Sequence, residues 1–496
     1  MDKPDTQDKA TLGPRIARQG ALVFSGFALT QVFSFARNAI IAHWLSKGDF
    51  GIAAAIVILL QLLETLSDLG ADRLIVQARD GDDPRLVATA QTTLVMRGVF
   101  VAVGLVVVAH PMASFFGVPE AAWAFAAAAL VPLLKGFANL DSRVAQRRLD
   151  NRPQILIEAL PQALSLALTI PALMAFADYS AVLWLAVAQA LFATISSHIV
   201  AKRRYRLALD HAHLRRLLAF GWPIWASAFP LVAVYQGDRM LVGHIIGMEG
   251  LAAYTTAFMI TMVPGLIAAK LSNALMLPLL ASEHDNADSF YSRFCMMAEA
   301  TTLIASLYLV AFIIAGGALL PIAFGASYAG LGPLVGWLAL MWSMRMLQAV
   351  PGAALLAKGI TRPFFSAAII RSTGLGLAFA TLISGYGLTG AAAASAVAEF
   401  ATLAYISWRL NHLHTHAEGT AVNGHRLGST MALRGVLLVP AGLLALGVSA
   451  LAPETASYVT LAGLLIIVSL TVMALAALTM PDGKRHLMTL RNGRWR

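Results

Sequence analysis

Glu64 and Asp68 stand four residues apart where the apolar run FGIAAAIVILLQLLET gives way to LSDLGADRLIVQARD. On a continuous helix that spacing puts both carboxylates on one face. They have company. Seven cations (Arg37, Arg97, Lys135, Arg239, Lys270, Arg345 and Arg371) and six acids (Glu64, Asp68, Glu158, Asp238, Glu299 and Glu399) fall inside runs apolar enough to enter lipid. An ionised side chain at mid-membrane costs roughly 2.5–3.5 kcal/mol on insertion scales. So many facing lipid would be prohibitive, and they must face water or one another. Arginine suits an anion, because its planar fork binds phosphate oxygens bidentately. Arg37, Lys135, Arg239 and Arg345, with Arg97 and Arg371, are therefore candidate substrate-binding residues. Glu64, Asp68, Lys270, Asp238 and Glu399 are candidates for gating or for coupling to H+ or Na+. Asp238 and Arg239 are sequence neighbours and cannot pair face to face on a helix, so at least one needs a partner elsewhere. No catalytic residue, resident cofactor or metal is expected. His412, His414 and His416 lack a Cys or carboxylate at ligand spacing, and Cys295 is the single cysteine.

These residues need long apolar elements to carry them. The chain has 496 residues, 58% hydrophobic and 12% charged, where a soluble domain carries about 25% charge. Runs of about 20 apolar residues, enough to cross the hydrocarbon core, predict fourteen spans. They are Gly20–Trp44, Phe50–Leu69, Leu86–Ala109, Ala122–Leu140, Gln154–Phe176, Ala181–Val200, Leu217–Ile246, Leu251–Leu280, Phe294–Leu320, Leu331–Ala357, Phe364–Ile383, Leu388–Trp408, Gly435–Leu451 and Tyr458–Met480. Lipid cannot satisfy unpaired backbone groups, and no barrel-like alternation is present, so all are expected to be helical. Lys and Arg crowd every second loop and both tails, whereas the intervening loops hold only Lys47. Basic loops face the cytosol, which predicts an even span count with both termini cytosolic. The same placement accounts for the net charge of +10 without a nucleic-acid partner. Residues 1–19 lack the features of a signal peptide and read as a cytosolic tail.

The sequence also matches itself. At an offset of 210, Arg152-Pro153 falls on Arg362-Pro363, Lys135 on Arg345, and Ala186-Val187-Ala188-Gln189 on Ala396-Val397-Ala398-Glu399. At 201, Ala42-His43 falls on Gly243-His244, and Arg37 and Arg239 lie one residue out of register. The reading is two pseudo-symmetric six-helix lobes, 20–210 and 211–410. A cytosolic linker (411–434), a helix pair (435–480) and a cytosolic tail (481–496) follow. Parallel repeats of this kind suit a carrier whose halves rock about a central site. The intramembrane prolines supply bend points.

The stretch ARNAIIAHWLSKGDFG, followed by LSDLGADRLIVQ, resembles the start of the Wzx-type polysaccharide flippases of the multidrug/oligosaccharidyl-lipid/polysaccharide exporter superfamily. LAVAQALFATISS and YGLTGAAAASAVAEF resemble that family's sixth and twelfth helices. The resemblance implies a protein of the bacterial inner membrane. It would move an undecaprenyl-pyrophosphate-linked oligosaccharide from the cytosolic to the periplasmic leaflet through a cationic central cavity. Candidate partners are that lipid-linked substrate, a polymerase and other polysaccharide-assembly proteins. A cation-coupled multidrug antiporter of the same superfamily is the alternative. A membrane polymerase or ligase is disfavoured, because no outward loop is long enough to carry catalytic groups. At the offset of 201 Lys270 falls one residue past Asp68, so an Asp68–Lys270 pair is expected as a cytosolic gate.

Overall fold

The computed structural model describes residues 6–148, 150–283, 286–417, 427–451 and 458–479. Among the described residues all regular structure is helical, and the chain packs as two units, 1–252 and 253–496.

The first unit holds α1 (Thr6–Trp44), α2 (Lys47–Leu66), α3 (Ala71–Gln77), α4 (Pro84–Phe115), α5 (Ala122–Ala127), α6 (Leu130–Gly136), α7 (Asp141–Arg147), α8 (Arg152–Phe176), α9 (Ser180–Val200) and α10 (His211–Ile245). Its core gathers Ala55, Leu105, Ala113, Ala121 and Phe125, all fully buried, from α2, α4 and the segment up to α5. Small residues let these backbones approach closely, as membrane helices favour. Within this unit α10 packs on α2 and α4.

Two local breaks set the charged residues in place. The first ends α2 at Leu66, three residues short of the predicted span. Gly70 follows in the left-handed region (φ 62°), which a residue without Cβ adopts readily, and its N–H donates to Asp68 Oδ1 at 3.0 Å. Asp68 therefore lies beyond the helix. The expectation that Glu64 and Asp68 share one helical face is corrected: an Asx-type turn carries Asp68 off it.

The second break falls in the fourth predicted span, expected as one helix over 122–140. Pro132 has no N–H to offer the Ala128 carbonyl, and its ring crowds that group. The helix stops after Ala127 and restarts at Leu130. After Gly136 the chain turns through 53° into α7.

The second unit holds the rest of α11 (Met248–Ala281), then α12 (Ala287–Phe324), α13 (Gly332–Ala357), α14 (Arg362–Ile383), α15 (Gly387–Ala417), α16 (Leu427–Gly435), α17 (Leu438–Leu451) and α18 (Tyr458–Thr479). α13, α14 and α15 pack together, and α17 and α18 pack on α12 through Val310, Ala441, Ala445 and Val472. Part of the predicted 411–434 linker is helical, as α15 runs on to Ala417 and α16 fills 427–435.

Among the described residues ten helices are long and apolar enough to cross a membrane, or eleven when the bent pair around Gly136 counts as one span. The predicted spans Gly20–Trp44, Leu331–Ala357 and Gly435–Leu451 are helical but fall outside that set. Arg37 with Asn38, and Arg345 with Gln348, lower the hydropathy of the first two, and α17 is short.

Candidate functional site

Among the described residues three clusters gather around the predicted intramembrane charges. The first lies in the first unit, where α2 ends. The last carbonyls of a helix have no partner of their own, and Arg97 on α4 supplies one, donating from Nη2 to Glu64 O at 2.6 Å and from Nε to Ser67 Oγ at 3.0 Å. A cation at a helix C-terminus is also favoured by the helix dipole. Arg97 stands 3.8 Å from Asp68, which pairs with Arg73 at 3.1 Å. Lys135 on α6 pairs with Glu64 at 2.8 Å. Glu64, Arg97 and Lys135 line a cavity of about 130 Å³, walled by Leu94, Gly98, Val101, Pro132 and Gly136. Four sequence candidates thus meet here. Within this unit Asp68 is held by Arg73 and Arg97, and the side chain of Lys270, its expected partner, lies outside the described residues.

The second cluster centres on Arg37 of α1. It donates to Ser165 Oγ on α8 at 3.1 Å and to Gln189 Oε1 on α9. Both partners are neutral, and among the described residues no carboxylate reaches this guanidinium. Burying a cation is costly unless it is paired.

The third cluster is in the second unit. Glu399 of α15, only 1% exposed, takes Arg345 Nε of α13 at 2.5 Å and Arg371 Nε of α14 at 3.0 Å. Gln348 donates to the Glu399 carboxylate at 2.9 Å and accepts from Arg371. The Arg345 guanidinium lies 4.9 Å from the centre of the Trp342 ring, within cation–π range. Two cations converge on one carboxylate.

Asp238 and Arg239 sit apart from these, on α10. Asp238 is buried and accepts from the backbone N–H of Arg239 at 2.8 Å, while the Arg239 guanidinium turns back to Tyr235 O. Close by, Gln236 donates to Gln61 of α2 at 2.7 Å.

Sequence reasoning missed the neutral members, Ser67, Ser165, Gln189 and Gln348. One signal for them was present: Gln189 is the repeat counterpart of Glu399. Each of the two positions receives an arginine, as an amide in the first unit and as a carboxylate in the second.

Comparison with known proteins fixes the lineage. The model of a family described as polysaccharide biosynthesis protein matches residues 40–333, more than half of the chain. The chain belongs to that family. Relatives include the succinoglycan biosynthesis transport protein ExoT of Rhizobium meliloti (strain 1021), 22% identical over 62% of this chain and 62% of that one. Another is the teichuronic acid biosynthesis protein TuaB of Bacillus subtilis (strain 168), 23% identical over 59% of this chain and 61% of that one. The chain spans about three fifths of the length of these curated relatives. Among solved structures, the lipid II flippase MurJ in an inward closed conformation superposes with a TM-score of 0.67 at 11% identity, covering 92% of this chain and 98% of MurJ. An inward-facing multidrug resistance MATE family transporter of the MOP superfamily gives 0.63 at 15% identity, over 78% and 96%. This member of the polysaccharide biosynthesis family thus has the all-helical fold of those transporters and is a multi-pass membrane protein, in bacteria of the inner membrane. It is the Wzx-type lineage that its motifs resemble.

Proposed function

We propose that the protein flips an undecaprenyl-pyrophosphate-linked oligosaccharide from the cytosolic to the periplasmic leaflet, by alternating access, for cell-surface polysaccharide synthesis. The family match and the names of the relatives support transport in polysaccharide assembly. The observation that carries the reading is Arg37, a guanidinium whose described partners are all neutral. Such a group is completed by an anion, and the pyrophosphate of a lipid carrier supplies one whose apolar tail stays in the bilayer. Arg345 and Arg371 are assigned to the substrate on a different ground: two guanidiniums share the single Glu399 carboxylate, which leaves one positive charge over for an anion; Arg239 is assigned with them. Lys135 and Arg97, tied to Glu64 and Asp68, are assigned to the same path, where breaking and remaking of their ion pairs gates it. Lys270, Asp238 and Glu399 complete the set for gating or coupling to H+ or Na+. The reading includes fourteen spans with both termini cytosolic.

The test is surface-polymer export in cells that depend on this protein. Gln189→Glu gives Arg37 the counter-charge that Glu399 gives Arg345, and it preserves size and hydrogen bonding. Export should fall by about tenfold or more, the cost of one lost charged contact, with protein level unchanged. Arg37→Ala should do the same. Wild-type export in both variants would defeat the phosphate role. Drug resistance that vanishes with the gene while export persists would favour the antiporter instead.

A further inference from the structure

A second basic pocket lies in the first unit at the start of α4 and shares no residue with the charged clusters described above. Residues 201–210 (AKRRYRLALD) form no helix or strand, yet they are tied down along their length. Asp141 accepts the N–H of Lys202 at 2.7 Å and of Arg203 at 3.3 Å, and Arg203 donates to Asp82 O at 2.8 Å. Further along, Ala208 O accepts from Thr92 at 2.9 Å, and the Asp210 N–H reaches Thr89 at 3.3 Å. The strap closes over a pocket of about 320 Å³, with Pro84, Val87, Ala88 and Gln91 of α4 and Asn139 in its walls. The floor is polar and buried, since Gln91 donates to Asn139 at 3.3 Å and both are almost inaccessible.

Charge tells what would fit. The two acids lining the pocket are engaged: Asp141 pairs with Arg203 at 3.5 Å and Asp82 with Arg148 at 3.6 Å. Arg204 and Arg206 line the same pocket, are exposed, and make no ion pair among the described residues. The pocket also faces the first turns of the long helix α4, whose dipole favours negative charge. Leu207 and Leu209, half exposed, continue the strap and give it the basic-apolar character of a segment lying at a membrane surface.

We propose that this pocket binds a phosphate group through Arg204 and Arg206, at a site separate from the transport clusters. A phospholipid headgroup and a soluble phosphate share that chemistry. The experiment follows deuterium exchange of residues 201–210 in the full-length protein in micelles of a phosphate-free maltoside detergent. One arm titrates in phosphatidylglycerol; the other titrates in inorganic pyrophosphate. Protection that rises in the first arm alone identifies a lipid source, and in the second a soluble one. In Arg204→Ala and Arg206→Ala the concentration giving half protection should rise by about fivefold per arginine removed, and added salt should weaken it further. Both side chains are exposed, so the melting temperature should not move. No protection in either arm, or the same protection in the double variant, overturns the proposal.

Discussion

At the scale of single residues, Glu399 decides more than any of the cations. It is the acid on which Arg345, Arg371 and Gln348 converge, in the interior of the second unit. Removing one partner from a buried pair strands the others, which costs roughly 3–5 kcal/mol. Glu399→Ala should therefore lower the thermal stability of the purified protein steeply. Glu399→Gln keeps most hydrogen bonds and should destabilise less, while still leaving two guanidiniums without a counter-charge. Equal melting temperatures for wild type and both variants would show that the network adds nothing to the fold. The sequence announced the charges here but not the geometry. Charged types stand out against an apolar background, whereas Gln189, Ser165 and Gln348 carry no such contrast. Only the repeat picks out Gln189, and a one-residue spacing argument could not say which acid would meet which arginine.

At the scale of elements, helix ends and close approaches govern what the charges can do. α4 and α6 touch through glycines: a Cβ on Gly98 would stand 2.6 Å from Pro132 O and 3.0 Å from the Gly136 Cα. Overpacking of this kind costs about 1–3 kcal/mol, so Gly98→Ala should push α6 away. Because Lys135 rides on α6, the variant should lose both stability and the Lys135–Glu64 pair, measured as a lower melting temperature together with reduced export. An unchanged melting temperature would rule out the tight contact. The loop before α4 offers a pH-dependent counterpart. Two hydrogen bonds from Arg216, at 2.6 and 2.9 Å, hold the Asp80 carboxyl below its usual range. A depressed carboxyl stabilises the fold above its unfolded value, about 4, and that contribution fades as pH falls through the lower folded value. Proteolysis of the 79–83 loop should therefore be flat from neutral pH down to about 4 and rise only below it. Asp80→Asn should be cleaved faster than wild type at neutral pH and show no such rise. Equal cleavage at neutral pH would mean that the bridge does not restrain the loop. Element breaks were only half legible from sequence. Pro132 warned of one, but the stop of α2 at Leu66 depends on Gly70 and Asp68 closing a turn that apolar periodicity cannot register.

At the scale of the whole molecule, hydropathy and loop charge carried the reading, because lipid constrains composition over some 20 residues at a time. That is why helical segments were found at all fourteen predicted positions. It is also why α1 and α13 escape a test of apolarity alone: Arg37 with Asn38, and Arg345 with Gln348, offset the surrounding Leu, Val and Ala. Span number then rests on the alternation of basic loops, and this can be tested independently of hydropathy. Cys295 is buried and is the only cysteine, so Cys295→Ser gives a clean background for single reporters. Glu120 and Tyr386 are exposed and fall in loops predicted to face outward, and Asp82 is exposed in a loop predicted to face the cytosol. An impermeant maleimide added to intact cells should label Glu120→Cys and Tyr386→Cys and leave Asp82→Cys untouched until the membrane is opened. The spans between residues 120 and 386 must be even in number for both outer reporters to react. Labelling of Glu120→Cys with protection of Tyr386→Cys would require an odd number, which the fourteen-span topology and its cytosolic termini could not survive.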